Sequence, residues 1–212
     1  MKITDIAPQQ KGELYNIFFD GQFAFSADGG FIAENFLHKG DEFSPSAFEE
    51  LKSLAEVQKA YRHGLYLLGY RDFSSKELIK RLCRKGVDET VAEAAVEKIK
   101  AAGYINDERY AEKLVEHHKQ KSGSKKILYE LQKSGIDRET AEEALENGYS
   151  EEDGIEAILR DMRRRFKPPE SDDPAEKRKQ INKIFNRYIA RGYAFETVKR
   201  AYNLFTEELF ED

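Results

Sequence analysis

The side chains of this sequence best placed to do chemistry are basic ones at helical spacing, and the chemistry they offer is the recognition of anions. Lys76, Lys80 and Arg84 stand at i, i+4 and i+8, one stripe of a helix, with Arg81 and Lys85 beside them. Lys121, Lys125 and Lys126 surround the start of a second helix. Arg160, Arg163, Arg164, Arg165 and Lys167 end a third, where positive charge also complements the helix dipole. Lys177, Arg178, Lys179, Lys183, Arg187 and Arg191 follow on a fourth. Ser122-Gly123-Ser124-Lys125-Lys126 has the residue types of a phosphate-cradling loop without its spacing, and reads as a helix capped by Ser124 with lysines in its first turn. There is no Cys-x-x-Cys, Gly-x-Ser-x-Gly or His-Glu-x-x-His. His117 and His118 are neighbours, which on a helix point about 100° apart and do not share a metal easily. His38 and His63 are isolated. Neither an enzymatic constellation nor a metal or other cofactor is expected.

Composition narrows the class. The 212 residues are 40% hydrophobic and 35% charged, with a net charge of −5, which argues against a uniformly positive duplex-binding surface. The charge is segmented: residues 1–60 carry 5 basic and 10 acidic side chains, whereas residues 62–85 carry 7 basic against Asp72 and Glu77. No apolar run approaches the ~20 residues that span a bilayer, and the first residues lack the apolar stretch of a secretory signal. The single cysteine, Cys83, precludes an internal disulfide and fits a reducing cytoplasm as a partly buried structural thiol.

The elements that must carry the basic side chains come from a pattern that occurs three times, around Gly86, Gly135 and Gly192. Eight residues before each glycine stand Leu78, Ile127 and Ile184; seven before, Ile79, Leu128 and Phe185; four before, Leu82, Leu131 and Tyr188. One residue after come Val87, Ile136 and Tyr193, and nine after, Ala95, Ala144 and Ala201. These offsets predict a helix with one apolar face, a left-handed glycine cap and a closely packed second helix. Asp88 and Asp137 cap the second helix in two copies, and Ala194 stands there in the third. Ser74 with Glu77, stapled by Phe73 and Leu78, is a capping box; Asn106 and Ser150 start two more helices. Ser44-Pro45 starts a leading helix with a possible break near Gly64. Residues 167–174 read as an acidic, proline-rich loop. Before all this, Ile3–Ile6 is a strand, Leu14–Phe19 and Gln22–Ser26 a hairpin around Asp20-Gly21, and Gly30–Leu37 a short helix. Phe23 and Phe25 alternate, so both are expected on one buried sheet face.

The fold class that follows is mainly α: an elongated, curved array of three tandem three-helix repeats, with a small N-terminal segment containing a β-hairpin. The expected segments are 1–45, 46–103 (leading helix and first repeat), 104–149 (second repeat) and 150–212 (third repeat with loop 167–174).

Three stretches carry a family resemblance. Arg71-Asp72-Phe73-Ser74-Ser75-Lys76-Glu77-Leu78 with Leu82 and Gly86, Ala102-Gly103-Tyr104-Ile105-Asn106-Asp107-Glu108-Arg109-Tyr110-Ala111, and Ile127-x-x-Glu130-Leu131-x-x-x-Gly135-Ile136 resemble the signatures of the bacterial RecX proteins. The N-terminal Phe18–Ala24 and Leu37–Asp41 are similar to an extension found in some members. The resemblance implies a non-catalytic, cytoplasmic modulator that binds the RecA nucleoprotein filament and restrains ATP hydrolysis, strand exchange and the co-protease step of the SOS response. It implies no catalytic residues. A monomer is expected, with no membrane partner and at most weak direct DNA contact. From the basic clusters, the residues expected to meet filament or DNA are Lys76, Lys80, Arg81, Arg84, Lys85, Lys121, Lys125, Lys126, Arg163, Arg164, Lys179, Lys183 and Arg187. The alternative is a helix-turn-helix-like DNA-binding protein, against which stand the acidic residues Asp88, Glu89, Glu93 and Glu97, then Asp137, Glu139, Glu142 and Glu143. A helical adaptor for peptides is a third reading.

Overall fold

The computed structural model describes residues 1–10, 12–166 and 173–211, the last three by their backbone. Among these residues the protein is mainly helical with one small sheet, and it divides into two compact units, Met1–Ile105 and Asn106–Asp212.

The first unit opens with an antiparallel sheet in the order β1 (Ile3–Pro8), β2 (Leu14–Phe19), β3 (Gln22–Asp28). Asp20 and Gly21 both have positive φ, 46° and 81°, as a two-residue type I′ turn demands. The expectation for Phe23 is overturned. The β2–β3 register shifts between Ile17↔Phe25 and Phe18↔Phe23, so Ala24 is an extra residue on β3. That bulge rotates Phe23 to the opposite face, where it is 57% exposed beside Phe18, while Phe25 is buried. The helix expected over Gly30–Leu37 is shorter, α1 (Gly29–Glu34), capped by Asp28. Ile17, Phe19, Phe25, Phe31 and Leu37 form a core with Phe48, Leu51 and Ala55 of α2 (Pro45–Leu68).

Helix α2 starts as expected at Ser44, whose hydroxyl accepts from the Ala47 N–H. It does not break at Gly64. That glycine is buried, and a Cβ on it would lie 2.5 Å from Ile99 Cδ1. The missing side chain therefore serves the close approach of α4 (Glu89–Ala101) rather than a kink. The second half of α2 packs with α3 (Ser75–Cys83) and α4 around Leu78, Leu82, Ala92, Val96 and Ile99. Cys83 sits partly buried at the edge of this core. Ser74 caps α3 by accepting from Glu77 N–H, and the Glu77 carboxylate takes both arms of the Arg71 guanidinium at 3.0 and 2.6 Å.

The second unit holds α5 (Asp107–Lys119), α6 (Ser124–Lys133) and α7 (Arg138–Gly148), packed around Val115, Ile127, Leu131, Ile136 and Ala141. It continues with α8 (Glu151–Arg165), α9 (Pro174–Ile189) and α10 (Phe195–Glu211), packed around Ile158, Met162, Ile184, Tyr188, Val198, Ala201 and Phe205. Ser150 and Asp153 form a reciprocal capping box on α8. Of the acidic loop, residues 167–172 lie outside the described residues; Asp173 and Pro174 are the cap and first residue of α9.

The three glycine anchors adopt one geometry. Gly86, Gly135 and Gly192 have φ of +87°, +84° and +85°. In each, the N–H of the following residue (Val87, Ile136, Tyr193) bonds back to the carbonyl of Leu82, Leu131 or Tyr188 at 3.3, 3.1 and 3.2 Å. This is the Schellman closure, which needs a residue free to enter the left-handed region.

Candidate functional site

The basic residues named from the sequence fall into separate groups. In the first unit, Lys76, Lys80, Arg81, Arg84 and Lys85 are all exposed on or just beyond α3, opposite Leu78 and Leu82. None of the five has a carboxylate within 4.0 Å among the described residues. Helix α4, which follows the glycine turn, exposes Glu89, Glu93 and Glu97, a face that would repel phosphates.

In the second unit the groups diverge. Lys125 and Lys126 are exposed at the first turn of α6. The cap of that helix is Gly123 and not Ser124, and no side chain bonds the helix start. The reason is tertiary. The Gly123 N–H donates to the Arg191 carbonyl at 3.0 Å and the Lys125 N–H to the Gly192 carbonyl at 3.2 Å, so the α9–α10 turn satisfies the helix terminus. Lys179 and Lys183 are exposed on α9. Arg163 is turned onto α10, where its Nε donates to Glu208 at 2.9 Å and a second nitrogen meets the other carboxylate oxygen.

Lys121, Arg164 and Arg187 are brought together, and with them come Arg160, Arg165 and Arg191, which belong to the basic clusters but were not among the residues expected to meet a partner. They line a cavity of about 360 Å³ walled by the turn after α5, the end of α8 and the end of α9. Its organiser is Asp161, 9% exposed. One carboxylate oxygen accepts from Arg165 Nε at 2.7 Å and Arg164 Nη2 at 3.3 Å; the other accepts from Arg191 Nη1 at 3.0 Å and the Tyr188 hydroxyl at 3.3 Å, with Arg187 Nε at 3.8 Å. Arg191 is also anchored to the Lys121 carbonyl by Nε and Nη2, at 3.0 and 2.6 Å. Burial alone would raise the Asp161 pKa, but the Arg165 hydrogen bond and the charges of Arg191 and Arg165 outweigh it and hold the carboxyl below its ordinary value. Burial, then the Asp161 charge, pushes the Tyr188 hydroxyl in the opposite direction, well above its own. Asp161 carried a signal in the sequence: it is the lone acid in Arg160–Arg165, one turn from apolar Ile158 and beside Met162.

His117 and His118 have rings 5.1 Å apart at 86°, and among the described residues no group of three or more His, Cys, Asp or Glu is placed to hold a metal. No helix among the described residues is long and apolar enough to cross a membrane.

Comparison with known proteins bears on the whole chain. Residues 60–98 match the family model of the first three-helix domain of RecX, and residues 106–145 that of the second. The regulatory protein RecX of Listeria welshimeri is 31% identical over 212 residues, 99% of this chain and 77% of the relative. That of Caldanaerobacter subterraneus subsp. tengcongensis is 29% identical over 205 residues, 96% of this chain and 100% of the relative. In fold, the protein is similar to a crystal structure of regulatory protein RecX with a TM-score of 0.71 at 21% identity, covering 95% of this chain and 98% of that one. It is also similar to RecX from Lactobacillus salivarius, with a TM-score of 0.62 at 24% identity over 71% of this chain and 97% of that one.

Proposed function

The chain belongs to the RecX family, and from that premise we propose that it is a non-catalytic regulator of the RecA recombinase, acting in the cytoplasm as a monomer on the RecA–DNA filament. The observation that carries this reading is the match to proteins named as RecX regulators along nearly the full length of the chain, beyond the two matched domains. RecA itself enters through the family that the signature residues resemble. The working segments are 1–45, 46–103, 104–149 and 150–212, the last three each a three-helix repeat. Tandem repeats would touch several protomers at once and, by favouring one filament state, shift the balance between growth and disassembly. Restraint of ATP hydrolysis, strand exchange and the SOS co-protease step would follow from that shift. The unpaired cations of α3 support an acidic or phosphate-bearing counterpart for the first repeat.

The test is single-strand-DNA-stimulated ATP hydrolysis by the cognate RecA during titration with this protein. The rate should fall at ratios below one regulator per RecA. An unchanged rate at equimolar protein would refute the reading.

A further inference from the structure

We infer that the arginine-lined cavity around Asp161 is a binding site for a phosphoryl oxyanion. Six cations, Lys121, Arg160, Arg164, Arg165, Arg187 and Arg191, line it against a single carboxylate, a local net of +5. Asp161 is saturated by the contacts it already makes, so it orders the guanidinium groups without neutralising them. Arg164 and Arg187 stay accessible, their side chains 71% and 43% exposed. Arg164 gives one contact to Asp161, at 3.3 Å, Arg187 approaches it no closer than 3.8 Å, and Arg160 has no ion pair among the described residues. Arg191 is held rigid by the Lys121 carbonyl and Asp161 together, which lowers the entropy cost of presenting its remaining donors.

The chemistry of the ring selects the ligand class. Guanidinium forks from α8, α9 and the turn after α9, joined by the Lys121 ammonium of the α5–α6 turn, suit a tetrahedral group with several acceptor oxygens and more than one negative charge. A planar monocarboxylate would leave most of the surplus charge uncompensated, and the position for one is already filled by Asp161. The phosphoryl group can come from a nucleic-acid backbone or from a free phosphate compound. This site does not depend on the proposed action on RecA, and its test involves no RecA.

Two probes are titrated into the full chain at low salt: pyrophosphate by calorimetry, and fluorescein-labelled dT12 by anisotropy. The pocket variant is Arg164→Gln/Arg187→Gln. The control, Lys133→Gln/Lys199→Gln, removes equal charge from exposed side chains of α6 and α10 in the same unit. The pocket variant should weaken the bound probe by at least about tenfold, since two charge-assisted contacts are lost, and the control by no more than about twofold. Arg164→Lys/Arg187→Lys retains the charge that Asp161 requires and should give an intermediate loss, separating loss of the forks from loss of folding. Far-UV circular dichroism checks that each variant is folded. Binding of pyrophosphate identifies a free phosphate ligand, and binding of dT12 alone identifies a backbone. Failure of both probes to bind, or equal weakening by the pocket and control variants, overturns the proposal.

Discussion

Replacing glycine with alanine at the equivalent caps Gly86 and Gly192 should produce unequal losses, although both have φ near +85°. At Gly86 an added Cβ meets nothing within 4 Å. Only the backbone penalty remains: about 1–2 kcal/mol for an L-residue in the left-handed region, reduced by about 0.4–1 kcal/mol through the stiffer unfolded chain. The net is about 1 kcal/mol. At Gly192 the added Cβ would lie 2.5 Å from the Lys126 nitrogen and 2.6 Å from its Cβ. Relief requires the start of α6 to retreat by about 1 Å, which stretches the bonds from Gly123 N–H and Lys125 N–H to the Arg191 and Gly192 carbonyls. At about 1 kcal/mol for each weakened bond, Gly192→Ala should cost about 3 kcal/mol. With a urea slope of about 2 kcal/mol per M, the midpoint followed by circular dichroism should fall by about 1.5 M for Gly192→Ala and 0.5 M for Gly86→Ala. Gly123→Ala supplies a control free of the conformational penalty. Its φ is −80°, yet its Cβ would stand 2.3 Å from backbone atoms of Gly192 and Tyr193. The double variant Gly123→Ala/Gly192→Ala should lose less than the sum, because both open the same joint. A Gly192→Ala loss within about 0.5 kcal/mol of Gly86→Ala would refute the docking of α6 on this turn.

Asp161→Asn keeps the shape but leaves Arg164, Arg165, Arg187 and Arg191 without a counter-charge; because these arginines are partly exposed, the loss at pH 7 should be about 2 kcal/mol rather than the 3–5 typical of fully buried pairs. Since the folded-state pKa of Asp161 is depressed, its contribution is present above about pH 4 and lost as pH falls through the folded value, so urea midpoints of wild type and variant should converge below pH 4; a constant gap down to pH 2 would rule the ion cluster out. Phe25→Ala should cost about 3–4 kcal/mol and Phe23→Ala less than about 1 kcal/mol in the same assay; equal losses would contradict the bulge at Ala24. Changing Lys76, Lys80 and Arg84 together to Glu should weaken suppression of RecA ATP hydrolysis without loss of helicity, and undiminished suppression would remove α3 from the contact surface.

What could be read in the sequence is what local chemistry decides. A glycine cap closes through a bond from the next residue to one five positions back, so its apolar offsets recur wherever the motif does. Asp20-Gly21 announces its turn for the same reason. The misread features depend on distant partners. An inserted residue at Ala24 leaves the alternation of Phe23 and Phe25 intact on paper and reverses one of them in space. Ser124 has the right residue type for a cap, but the Arg191 and Gly192 carbonyls reach the helix start first. The arginine cavity follows the same logic, because Lys121 and Arg191 meet only once the turn after α9 docks on the turn before α6.

The third repeat differs from the other two at the positions that build this cavity. Four residues before the glycine, Leu82 and Leu131 fill apolar cores, whereas Tyr188 is as fully buried and brings a hydroxyl that must be satisfied. Asp161 satisfies it, and a buried carboxylate in turn demands cations, which Arg165 and Arg191 provide. A leucine at 188 would remove the hydroxyl from this network, and Asp161 would have one fewer partner to hold it in the core. The residues that all three copies share build the helices and their turns; the polar departure in the third copy is what gathers the arginines into one cavity.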